Sequence, residues 1–143
     1  MAITSAVCTS FKVELLKGVH NFTATTGNTF NIALYTSDAS LGAGTTAYTT
    51  SNEVSGTGYT AKGNALTSVT PVASSTTAVC DFSDTSFTSA SFTARGCLIF
   101  NDSATGDPAV CAIDFGADKT VTSGTFTIQF PTADASNAII RIA

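Results

Sequence analysis

The stretch NEVSGTGYTAKGNAL, Asn52 to Leu66, sets Gly56, Gly58 and Gly63 around Tyr59 and Lys62. Glycines with a nearby lysine can cradle a phosphate when they feed directly into a helix whose free N–H groups face the anion. Here the Walker spacing fails and the flanking segments read as strands. The expected role is therefore conformational: Gly56 and Gly58 adopt backbone geometry closed to other residues, Tyr59 packs across the turn, and Lys62 decorates it. His20 is the only histidine, which excludes a His-rich metal site, and its setting GVHNF reads as a helix exit where imidazole complements the dipole. Most aspartates border turns; the pairs Asp81/Asp84 and Asp102/Asp107 could offer oxygens to Ca²⁺, but neither follows an EF-hand pattern. No metal or other cofactor is expected.

Cys8, Cys80, Cys97 and Cys111 lie far apart with no C-x-x-C spacing, so they read as small buried hydrophobes in a reducing compartment. The alternative is a Cys97–Cys111 pair across a hairpin. Arg95, in TARGC, is the one cation inside an otherwise apolar strand, and a buried arginine requires a carboxylate. Glu53 or Asp114 could supply it within the chain, or Arg95 could serve a contact between subunits. The sequons at Asn21 and Asn101 read as coincidental, because no cationic n-region and apolar core mark a signal peptide at the start.

The elements that must hold these residues follow from composition and periodicity. A chain of 143 residues suits one domain, with charged residues at 11% and a net charge of -4. Serine and threonine make up about 30% of it, so hydroxyls must build much of the surface. Six cations form no basic stripe, which argues against nucleic acid as a partner, and no apolar run reaches membrane-spanning length. Low charge and positive mean hydropathy weaken self-repulsion and point to assembly.

One short helix is predicted near the start, capped by Ser10, with Phe11, Leu15 and Leu16 as its apolar stripe and Gly18 closing it. The period then switches to two. TFNIALYTS reads as a half-buried strand, and ALTSVTPV, TTAVCDF, SFTARGCLIF, AVCAIDF and GTFTIQFP as further short strands, with NDSATGDP as a hairpin turn. NAIIRIA reads as a closing strand covered on both sides. Hairpin turns without βαβ alternation predict a mainly β fold: an antiparallel β-sandwich or jelly-roll-like barrel with one short N-terminal helix. The organisation is a single domain over 1–143, with an N-terminal segment at 1–25 and the sandwich at 26–143.

The runs LYTSDASLGAGTTAYTTSNEVSGTGYTAKG, SFTARGCLIFND and GTFTIQFPTADASNAIIRIA together resemble a family of small virion proteins of tailed bacteriophages, notably those of cyanobacteria and marine bacteria. The resemblance spans nearly the whole chain. Lys62 stands where a small residue or glycine is expected, and Phe87 where tryptophan is common. The resemblance implies a non-enzymatic component of the virion, assembled in the bacterial cytoplasm, with no catalytic residues to carry over. Its first expectation is a capsid decoration, or cement, protein: a homo-oligomer, a trimer, bound to the major capsid protein. The alternative is a tail or fibre module that attaches to host-surface carbohydrate. Phe11, Tyr48, Tyr59, Arg95 and Arg141 are the candidate contacts with neighbouring subunits or the capsid, because they lie in apolar segments near termini or turns, or, for Arg95, carry an isolated charge.

Overall fold

The computed structural model describes residues 2–143. It is mainly β: two antiparallel sheets pack as a sandwich, with one short helix near the N-terminus. In chain order the elements are β1 (Ala6–Val7), α1 (Thr9–Leu16), β2 (Phe30–Tyr35), β3 (Asn64–Ala65), β4 (Ser68–Ser74), β5 (Thr77–Phe82), β6 (Thr85–Asn101), β7 (Ala109–Ile128) and β8 (Ile140–Ile142). One sheet has the order β1-β7-β6-β2-β3, the other β4-β5-β8.

β6 is the central strand of the larger sheet, and its neighbour β2 is buried at every position because β6 and β3 flank it and both its faces are covered. The alternation in TFNIALYTS predicts one wet face, and the structure corrects this: Asn31 and Tyr35 are also buried, each with a polar tip bonded to backbone carbonyl. The donors of both side chains are met inside the sealed strand, whereas the buried Asn31 Oδ1 has no hydrogen-bond partner among the described residues.

The segments read separately as AVCAIDF and GTFTIQFP belong to one 20-residue strand, β7, which pairs with the 17-residue β6 around the expected turn at 102–108. This ribbon does not run straight. Ala94 opposes Lys119 while Gly96 opposes Asp114, so β7 carries extra residues there, with Gly116 at φ +83°. Such a bulge bends and twists the pair. The far half returns past β3, where Asn64 donates to Thr85 Oγ1 at 3.0 Å and to the Ser86 carbonyl at 2.9 Å. The interior is rich in phenylalanine: Phe22 stacks on Phe30 with centroids 4.2 Å apart, and Phe87, Phe92 and Phe126 meet edge to face or tilted.

Two local expectations change. The helix starts at Thr9 with Cys8 at its N-cap position and no side-chain cap; the Thr9 N–H instead donates to the Ala43 carbonyl, so tertiary contact replaces the cap expected from Ser10. β8 is an edge strand and not covered on both sides: Ile140 is buried, whereas Arg141 and Ile142 are exposed.

Candidate functional site

The glycine-rich loop wraps the bulged half of β6. A Cβ on Gly56 would lie 2.5 Å from the Ser91 carbonyl oxygen, and one on Gly58, at φ +80°, would lie 2.7 Å from Ala90 Cα. Gly63, at φ +65°, would place a Cβ against the Ile32 carbonyl oxygen. These glycines permit backbone to lie on backbone, and the chain continues into β3, not into a helix.

Glu53 organises this loop. Its carboxylate accepts hydrogen bonds from Tyr48 Oη at 2.6 Å, Tyr59 Oη at 2.7 Å and the Lys62 backbone N–H at 2.8 Å. Tyr59 Oη in turn accepts from the Leu34 N–H at 2.9 Å, tying the loop to β2. Burial, then the bond to Glu53, pushes the Tyr48 phenol up to about 12; the same two causes raise Tyr59 further. Both phenols are neutral donors at ordinary pH. Tyr48 stacks on Phe100, and Tyr59 on Phe87.

Lys62 does more than decorate a turn. It holds a left-handed φ of +74° and its ammonium bridges Asp102 and Asp107, both at 2.8 Å, across the β6–β7 turn. Hydrogen bonds to Asp102 and then Asp107 raise its pKa, so the amine stays protonated and is no nucleophile. Of the two aspartate pairs considered for calcium, Asp102/Asp107 is thus occupied by this ammonium.

His20 packs among Phe11, Phe22 and Phe30 with its side chain fully buried. Asn101 Oδ1 accepts from the Ser103 and Ala104 N–H groups, which orients its amide nitrogen as a donor to His20 Nδ1 at 3.1 Å. The ring proton therefore sits on Nε2, 3.4 Å from Glu14 Oε1. Burial lowers the imidazole pKa despite Glu14, keeping His20 neutral. The ring is a structural connector between α1 and the β6–β7 turn.

The four cysteines are free, and Cys8, Cys97 and Cys111 are buried. Cys97 opposes Ile113 and Cys111 opposes Ile99, a diagonal offset in place of the facing pair considered from sequence. Burial pushes the Cys8 thiol up to about 11 and Cys111 up to about 12, so neither is a ready thiolate. Arg95 pairs with Asp114 at 2.9 Å, with Asp118 3.8 Å away, and its side chain is 35% exposed. The buried lock expected there is a half-exposed pair on β6 and β7, and Glu53 belongs to the loop network instead.

The remaining candidates, Phe11 and Arg141, come together at one place. Phe11 is buried under α1, and with Leu15, Ile140 and Ile142 it lines a cleft between α1 and β8 that has two lobes of about 550 and 510 Å³. Arg141 and Lys12 stand at the rim of the larger lobe. Leu16, assigned to the inner stripe from sequence, is instead 91% exposed beside it, and Val13 is 51% exposed. Sequence reasoning missed this outward pair, although Lys12, Val13, Leu16 and Lys17 share one side of an ideal helix. It also missed Glu53 as the acceptor for two tyrosines, which lie five residues before and six after it.

Comparison with known proteins found no matching family model, no matching curated protein and no matching solved structure.

Proposed function

We propose that this chain is a structural component of a tailed-bacteriophage virion, a non-enzymatic decoration protein that binds the outside of the capsid shell and stabilises it. The observation that carries the reading is the α1–β8 face, where the exposed Leu16 and Ile142 line an apolar cleft. Exposed aliphatic side chains grouped at a concavity on a rigid sandwich are what a protein needs when its work is to be covered by another. The sequence resemblance to small virion proteins points the same way. A protein that binds only the assembled shell stabilises it by mass action, and repeated equivalent sites multiply a modest contact through avidity.

The tail-fibre alternative gains less support. Sugar recognition uses exposed aromatic platforms. Tyr35 Oη donates to the Thr49 carbonyl, and Tyr48 and Tyr59 both donate to Glu53 while their rings stack on phenylalanine.

Cryo-electron microscopy of the virion that carries this chain tests the proposal. Density for the sandwich is expected at regular positions on the capsid exterior. Density confined to the tail, with a bare shell, would replace it with the tail reading.

A further inference from the structure

The charges around the α1–β8 cleft differ in sign from the molecule as a whole. The chain carries a net charge of -4, yet the two charged residues that line the larger lobe, Lys12 on α1 and Arg141 on β8, are both cations. Lys62 and Arg95 are neutralised by aspartates elsewhere, whereas Lys12, Lys17 and Arg141 form no carboxylate ion pair among the described residues. Arg141 donates to the Ala135 carbonyl at 3.1 Å and lies near enough to Asp134 to help lower its pKa. The one acid on the helix, Glu14, is directed at His20. The outward side of α1 therefore presents cations and aliphatic groups without a carboxylate.

From this geometry we infer that the cleft is the docking site for an acidic protein surface that inserts apolar side chains, its carboxylates meeting Lys12 and Arg141 at the rim. The inference rests on the decoration reading and assigns the occupant: an acidic outer face of the shell subunit. Charge complementarity selects it. Two copies of this chain meeting through the same face would set the Lys12 and Arg141 cations of each against the other, a like-charge contact that destabilises a complex. A lipid surface offers negative charge but is flat, whereas the cleft is concave, with Ile140 and Phe11 at its floor only 4% and 2% exposed. A protruding side chain reaches that floor; a headgroup layer does not.

The test is sedimentation of the purified chain with bare capsids assembled from the shell protein of the same virion. The variants are Leu16→Ser and the double substitution Lys12→Glu with Arg141→Glu, and Lys119→Glu on exposed β7 is the control. All four altered positions are exposed, and circular dichroism checks that each variant folds. Wild type and control are expected to bind alike, and each cleft variant at least about tenfold more weakly. Binding is also expected to weaken as salt rises from about 50 to about 300 mM, because rim charges are screened.

Wild-type binding that both cleft variants retain would overturn the inference and leave the decoration reading standing. No binding by wild type would overturn the decoration reading, and the assigned occupant with it. Two side measurements cover the other occupants. Self-association in sedimentation equilibrium that Leu16→Ser abolishes would replace the shell by a second copy. Binding to vesicles of phosphatidylcholine with phosphatidylglycerol that the double variant loses would replace it by a lipid surface.

Discussion

Glu53 shows how much one side chain can hold when three donors converge on it. Glu53→Ala would leave the Tyr48 and Tyr59 hydroxyls and the Lys62 N–H without their acceptor, in a region already half out of water. Losing several partly buried partners at once is expected to destabilise the fold by about 2–4 kcal/mol. Urea unfolding measures this, and Glu53→Ala with Tyr59→Phe is expected to cost less than the two single changes summed, because both remove the same bond. His20 gives a prediction in pH. Burial holds its pKa below the ordinary 6.5, so the unfolded chain takes up the proton first. The folded state then has full stability above pH 6.5 and loses it as pH falls through the folded-state pKa. Unfolding midpoints measured between pH 7 and pH 5 are expected to fall for wild type more steeply than for His20→Gln, which cannot charge. Equal slopes would show that the ring is not held neutral. Neither role is visible in sequence: an acid five residues from one tyrosine and six from another has no motif, and His20 meets Asn101 only because the chain returns after about 80 residues.

At the scale of elements, the glycines separate two demands. Gly63 combines a left-handed φ of +65° with a Cβ direction that runs into the Ile32 carbonyl, while Gly106, at φ +85°, has open space around it. Gly63→Ala is expected to abolish or grossly destabilise folding, since the loop must leave the edge of β2. Gly106→Ala is expected to cost only about 1 kcal/mol of left-handed backbone strain. Thermal unfolding of both variants checks the contrast, and similar melting temperatures would mean that the loop yields where the packing says it cannot. Glycine content predicts a turning β chain here; which glycine is indispensable depends on a strand 31 residues away in sequence. The same limit applies to the ribbon. Alternation marks both ends of β7, but the middle, GADKTVTS, has no apolar period because its residues are mostly exposed, so one long strand reads as two short ones.

For the whole molecule, the closing strand joins the small sheet to the core. Ile140 is 4% exposed, and β8 supplies the pairing partner of β5 from Ala78 to Cys80. Removing residues 139–143 exposes both a sheet edge and a core face, and is expected to lower stability by more than about 3 kcal/mol. A calorimetric melting temperature unchanged by the deletion would show that the sandwich closes without it. The hydroxyl-rich, weakly charged composition, the period of two and the turn residues by themselves determined a mainly antiparallel β architecture with one short helix, because backbone pairing and the need to bury alternate side chains act locally. The tertiary structure alone decided the rest: that β2 is sealed on both faces, that Lys62 clasps a turn, that Cys97 and Cys111 sit two residues out of register, and that Leu16 faces outward beside β8. Each of these depends on which distant segment arrives alongside, and a residue's burial and charge partners are set by that neighbour, not by its own place in the chain.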